Sequence, residues 1–320
     1  LNNFLELRSP LQTFLQEFSN ERVLFIPNQG NAGDCLIMSA TLEAMKTASI
    51  EIEIADERSN LSGQTVFLGG GGNLVGLYRG MRECLEVACD SQATRIVLLP
   101  HTVRANEDLI ARLDSRMTLW CREERSFEHV RRVNPSIDCR LGHDMAFHLD
   151  AAEFLNDAGL NRVGPEYLRN SLELLGTNLD QISHLKVAKF MRTDREARPS
   201  MIVGDIDVSK AFGSVADIET SRLRAWCFLK TISVSPRVMT DRLHVAISCS
   251  MLGKECELLD NSYSKNRDIY FHSLQRFPCM SFKKSGGKNV RDFPEPRRSL
   301  FSRISRHARH FAQTYLPRSS

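Results

Sequence analysis

Arg22-Val23-Leu24-Phe25-Ile26-Pro27 runs straight into Asn28-Gln29-Gly30-Asn31-Ala32-Gly33-Asp34, and Cys35 to Lys46 then carries a helical pattern. The first piece reads as a short apolar strand, the second as a loop and the third as a helix, the opening of an α/β fold. Working outward, the alternation repeats. Ile50 to Ala55 alternates like a strand, and Thr65 to Leu68 is another that runs into Gly69-Gly70-Gly71-Gly72-Asn73. Residues 79–90 look helical, and Arg95 to Leu99 is a strand closed by Pro100-His101-Thr102. Met117 to Cys121 is a further strand, followed by a charged helix beginning near Glu123, and Asp138 to Leu141 is the last. Strands alternating with helices predict a parallel, doubly wound sheet over residues 21–150.

Ahead of this unit, residues 1–20 place Phe4, Leu7, Leu11, Phe14, Leu15 and Phe18 mainly three and four apart, an amphipathic helix with Pro10 as a kink or break. Between 151 and 182 the pattern loosens around Asn156, Gly159, Gly164-Pro165 and Gly176, as expected of a linker. A second α/β unit over 183–282 has strands expected at Lys186 to Phe190, Arg237 to Thr240 and Glu255 to Asp260, with a helix from Leu243 to Leu252. It looks short and irregular between 197 and 230.

The last segment, 283–320, differs in character. It holds ten Lys and Arg against Asp292 and Glu295, a local charge of +8, so the whole-chain +3 leaves the preceding 282 residues at −5. Pro294 and Pro296 break any helix there, and beyond them Leu300, Phe301, Ile304, Ala308, Phe311 and Tyr315 form one stripe opposite Arg303, Arg306 and Arg309. Such a stripe at 298–316 suits peripheral contact with an anionic membrane or a partner, and equally suits a solvated basic terminus.

Apolar and charged fractions of 42% and 25% are those of a soluble globular protein. No stretch approaches the roughly 18 to 20 apolar residues of a membrane-spanning helix. The first 20 residues lack the pattern of a secretory signal, and the first residue is Leu1. Nine cysteines, an odd number with no Cys-x-x-Cys pair, read as reduced thiols and point to the cytoplasm.

Four segments invite chemistry. Asn31-x-Gly33-Asp34 lies between strand and helix, where free N–H groups attract anions, or where Asp34 simply caps the helix. The four-glycine run permits close backbone approach at a strand end, as ligand or as tight turn, but lacks the Gly-x-Gly-x-x-Gly spacing of a dinucleotide site. Arg192, after a strand, can grip a carboxylate or phosphate with its planar fork, or pair with Asp194 or Glu196. Thr240-Asp241-Arg242-Leu243-His244 opens a helix and sets an arginine for anion binding beside a histidine for proton transfer, or else a plain cap beside a solvated arginine. Gly204-Asp205-Ile206-Asp207 has the carboxylate spacing of a metal site, although two carboxylates in a turn are commoner. No metal is expected, the remaining histidines read as structural or surface residues, and no nucleic acid is expected as a partner.

Taken together, these segments resemble the polysaccharide pyruvyl transferase family, in particular its bacterial exopolysaccharide branch. Eight matches run in order from Asn31-x-Gly33-Asp34 through Gly72-Asn73-Leu74, Leu99-Pro100-His101-Thr102, Cys121-Arg122-Glu123-Glu124-Arg125-Ser126 and Gly142-His143-Asp144-Met145-Ala146-Phe147. They continue through Arg192-x-Asp194-x-Glu196 and Thr240-Asp241-Arg242-Leu243-His244 to Asp260-Asn261-Ser262-Tyr263-Ser264-Lys265, and together cover roughly 22–271. The resemblance implies two Rossmann-like units arranged as in GT-B glycosyltransferases. It implies phosphoenolpyruvate as donor, a co-substrate with no separate cofactor, and a pyruvate ketal on a hexose as product. It places Arg192, Arg242 and His244 at the donor, with His244 the leading acid or base and Asp34 a second catalytic candidate. Asn31, Gly33, Asp34, Gly71, Gly72, Asn73 and His101 fall to the acceptor side or its loops. The expected acceptor is a lipid-linked oligosaccharide at the inner face of the membrane. The main rival on this architecture is a nucleotide-sugar glycosyltransferase, and a non-catalytic binding relative is a third reading.

Overall fold

Val23 and Phe25 face one way along the strand Arg22–Ile26 (β1), Leu24 and Ile26 face the other, and all four are buried. A strand buried on both faces belongs in the middle of a parallel sheet covered on each side by helices. The protein, seen here as a computed structural model that describes residues 2–197 and 202–283, has that organisation.

The first sheet continues with Glu51–Ile54 (β2), Thr65–Leu68 (β3), Gly71–Leu74 (β4), Arg95–Val103 (β5), Met117–Cys121 (β6) and Asp138–Leu141 (β7). Its order is β2-β1-β3-β5-β6-β7, with β4 paired to β5, and every pairing is parallel. The second sheet holds Ala188–Phe190 (β8), Arg237–Thr240 (β9), Glu255–Leu259 (β10) and Met280–Lys283 (β11), in the order β11-β10-β9-β8 and again parallel. The sequence expectation of α/β units with parallel sheets agrees with this. The basic segment beyond Lys283 lies outside the described residues.

One apolar core joins the two sheets. The helix Ala32–Thr47 of the first packs on the helix Ile218–Val234 of the second, and Phe25, Ala40, Phe228, Ile232 and Leu258 belong to the same cluster. Leu24, Ile26, Val66, Leu68, Leu98 and Leu119 form a separate cluster on the far face of the first sheet. Each large side chain so buried contributes about 1.5–3 kcal/mol.

Several local expectations need correction. The glycine run is not a turn: after Gly69 and Gly70 the chain resumes as β4 along the outer half of β5. A Cβ at Gly69 would overlap the Asn28 backbone nitrogen and one at Gly71 the Asn28 side-chain amide, so glycine lets β1 and this strand approach. Strand β5 does not stop at Pro100 but runs to Val103, and its register against β6 shifts between Leu98 and His101. That irregularity absorbs the N–H that proline lacks. The first helix, Asn2–Leu15, runs through Pro10, held by Leu7, Leu11 and Phe14 buried on both sides of it.

Residues 151–182 are largely helical rather than an open connection, with helices Ala151–Leu155, Ala158–Glu173 and Leu179–Ser183. Gly164, which suggested a break, stands where the Trp226 ring lies against the helix, leaving no room for a Cβ. Strand β11, at Met280–Lys283, was not among the expected strands and ends one residue past the expected limit of the second unit.

Candidate active site

In an all-parallel sheet the strands end on one side, and the loops there are where ligands bind. After β1, Asn31 caps the helix Ala32–Thr47: its Oδ1 accepts the Gly33 N–H at 2.9 Å, and Asp34 Oδ2 accepts the Asn31 N–H at 2.9 Å. This reciprocal cap, worth about 1 kcal/mol, holds Asp34 at the head of the helix. Burial pushes the Asp34 carboxyl up, against the pull of His244, Arg122 and Lys265. Gly33 has its own reason, since a Cβ there would overlap the His244 ring at Nδ1. A glycine on the first sheet thus gives a histidine of the second its seat.

The ends of β8 and β9 supply two arginines. Arg192 and Arg242 are both buried, with side chains 5% and 4% exposed. Arg192 Nε donates to Asp194 Oδ1 at 2.9 Å, and its Nη1 lies 2.8 Å from Glu196 Oε2. Arg242 Nε donates to Asp207 Oδ1 at 2.9 Å, and its Nη1 lies 2.7 Å from Asp194 Oδ2. Arg192 therefore pairs with Asp194 and Glu196, and it lines the same space as Arg242. Asp207 is a brace for Arg242 and for the Thr193 N–H, while Asp205 Oδ2 accepts the Lys189 N–H at 2.7 Å. Among the described residues no three His, Cys, Asp or Glu side chains are grouped to hold a metal ion.

Two more cations come from motifs whose roles the sequence did not assign. Lys265, at the start of the helix Lys265–His272, donates to Glu196 Oε2 at 2.9 Å. Burial, aided by Arg192 and Arg122 and opposed by Glu196, pulls its ammonium down to about 8. Glu196 also accepts from Tyr78 at 2.8 Å; burial would raise it, but Lys265 and Arg192 hold it well below the usual carboxylate range. Arg122, at the end of β6, donates to Thr102 at 2.9 Å and to Asp144 at 2.6 Å. A Cβ at Gly72 would overlap the Arg122 guanidinium, so glycine opens the wall at that point.

These groups border one cavity between the two sheets. Of the residues singled out from the sequence, Asn31, Asp34, Gly72, Asn73, Arg192, Arg242 and His244 line it. Gly33, Gly71 and His101 stand behind that wall. His101 is fully buried, its Nε2 lies 3.0 Å from Asn73 Oδ1 and 3.2 Å from the Leu74 nitrogen, and burial beside Arg122 pulls it down to about 3. It can orient Asn73 but has no face on the cavity. Arg122, Glu196, Lys265 and Tyr78 line the cavity and were missed. The first three stand inside recognised motifs, which is the signal that could have found them.

Four cations and one imidazole at a polar cavity suit a small multivalent anion and proton transfer to or from it. The sequence profile of polysaccharide pyruvyl transferases matches residues 31–263, most of the chain and most of the cavity wall. The chain belongs to that family. As a polysaccharide pyruvyl transferase it is a transferase of pyruvyl groups to polysaccharides, and a sugar-nucleotide activity is not favoured. The crystal structure of a functionally uncharacterised protein from Klebsiella pneumoniae is similar, with a TM-score of 0.69 and 26% identity over 89% of this chain and 100% of the other. No curated protein sequence matches the chain. Among the described residues of this pyruvyl transferase no helix is long and apolar enough to cross a membrane.

Proposed function

We propose that the chain moves the pyruvyl group of phosphoenolpyruvate onto a hexose of an exopolysaccharide or cell-surface glycan precursor, forming a cyclic ketal. The two sheets are taken as Rossmann-like units paired in the GT-B manner, with the donor in the cavity between them. One observation carries the reading: Arg192, Arg242, Lys265 and Arg122, from both sheets, border a single cavity with His244.

Phosphoenolpyruvate presents a carboxylate and a phosphate on three carbons, and the arginine forks suit both. A sugar hydroxyl adds to C2 and gives up its proton while C3 gains one and becomes a methyl group. A neighbouring hydroxyl then attacks C2, the bond to the phosphate oxygen breaks, and inorganic phosphate leaves as the ketal closes. His244 serves as the acid or base for these transfers, and Asp34 serves on the acceptor side. The fixed cations stabilise the charge that grows on the departing phosphate.

The acceptor in this reading is a lipid-linked oligosaccharide at the inner face of the membrane, approached through the basic segment. Deleting 288–320 should abolish binding to anionic vesicles and leave donor binding intact; unchanged vesicle binding removes this part of the proposal. For the donor, thermal titration decides. Phosphoenolpyruvate at about 100 times its Kd should stabilise the protein by about 2.7 kcal/mol, whereas a nucleoside diphosphate should not. His244→Ala should keep the fold and lose turnover, and near-normal activity would refute its role.

A further inference from the structure

His244 is held from the sheet to which it does not belong. Its helix, Leu243–Leu252, follows β9, whereas Asp144 follows β7 of the larger sheet. His244 Nε2 lies 3.7 Å from Asp144 Oδ2 and, though buried, has no hydrogen-bond partner among the described residues. That separation exceeds a hydrogen bond. Catalytic hydrogen bonds are commonly long before substrate arrives and tighten in the complex.

Asp144 is built to stay an anion. Its side chain is fully buried, its Oδ2 accepts from Arg122 at 2.6 Å and its Oδ1 accepts the Ala146 N–H at 2.9 Å. Burial alone would raise its carboxyl, but Arg122 and His244 hold it well below the usual carboxylate range. At the Nδ1 edge of the His244 ring stands Gly33, where any Cβ would overlap it. The ring is therefore wedged between bare backbone and a fixed negative charge.

We propose that Asp144 is the positioning residue of His244, orienting its ring across the boundary between the sheets and balancing the charge it takes up during proton transfer. This rests on the reading of His244 as the acid or base. It also makes the proton-transfer group complete only when both sheets contribute, one giving the imidazole and the other the carboxylate and the glycine seat.

Asp144→Asn keeps the size of the side chain, with one oxygen left to accept from either Arg122 or the Ala146 N–H and an amide NH2 in place of the other. It should lower kcat at least about tenfold while the KM for phosphoenolpyruvate stays within about threefold, the split expected when an interaction matters to the chemical step and not to donor binding. Asp144→Glu should recover part of the rate. An unchanged kcat, or a raised KM at normal kcat, overturns the proposal. If Asp144→Asn does not fold, Gly33→Ala reaches the same ring from its other edge and should show the same split. If the wild-type protein turns over no phosphoenolpyruvate, the functional reading fails by itself. The positioning role is then read from the imidazole nitrogen resonances of His244 in the ligand-free protein, which Asp144→Asn should shift; identical resonances in the two proteins overturn it.

Discussion

Arg242 Nη1 lies 2.7 Å from Asp194 Oδ2, and the other oxygen of that carboxylate accepts Arg192 Nε at 2.9 Å. One acidic side chain therefore pairs with both guanidinium groups of this cavity wall. Burial would raise Asp194, but Arg192 and Arg242 pull it down, so it is ionised wherever the protein is folded near neutral pH. Such a group lends stability above its unfolded value and loses it as the pH falls through the lower folded one.

Asp194→Ala should cost on the order of 2 kcal/mol, because it leaves two buried cations short of a partner. A phosphate or carboxylate of the donor can take the vacated place. Saturating phosphoenolpyruvate should therefore raise the melting temperature of Asp194→Ala more than that of the wild type. A smaller rise, measured by calorimetry, speaks against a donor held by these two arginines.

Gly33 and His244 should be coupled in stability. Gly33→Ala forces a methyl group onto the imidazole and should destabilise by about 1–3 kcal/mol, the usual range for overpacking. In a His244→Ala background the obstacle is gone, so the same substitution should be neutral or mildly stabilising as a helix residue. Equal costs in the two backgrounds, from denaturant titrations of all four proteins, contradict the seating of His244 on Gly33.

Lys265 sets a pH dependence. Its ammonium is pulled by burial from 10.5 to about 8, so across that window the unfolded chain carries a proton that the folded chain has released. On this group's account the folded state gains stability as the pH rises from 8 toward 10.5. Over the same window the cavity loses one positive charge, and the KM for phosphoenolpyruvate should climb. Lys265→Met should hold KM high at every pH, and Lys265→Arg should remove the dependence. A wild-type KM that is flat from about pH 7 to 9.5 contradicts a donor contact at Lys265.

The strands buried on both faces were the most legible part of the fold. Val23 to Ile26 and Thr65 to Leu68 carry their environment in their own composition, and β3 and β9 fall where the residues predict. Strand β4 was not legible, because Gly71 and Gly72 have no side chains to advertise a strand and are glycine for the sake of Asn28 and Arg122. Pro100 and Gly164 misled for a related reason. Each breaks a local rule that a tertiary contact, the β5–β6 irregularity or the Trp226 ring, makes tolerable. At the cavity, Arg192, Arg242 and His244 were assigned through the family resemblance, their own spacing leaving a plain ion pair or cap equally open. Lys265 and Arg122 stood inside the same family motifs but were given no role, and what brings them to one cavity is the packing of one sheet's strand ends against the other's. The carboxylates that brace the arginines were visible for Arg192, two and four residues away, and invisible for Arg242, whose partner Asp207 lies 35 positions distant.

Release of inorganic phosphate from phosphoenolpyruvate, followed with and without added glycan acceptor, tests the central assignment most directly. The expected result is phosphate that appears only with the acceptor, matched mole for mole by ketal-linked pyruvate on the sugar and lost in His244→Ala. Phosphate release that ignores the acceptor, or transfer that survives intact in His244→Ala, contradicts it.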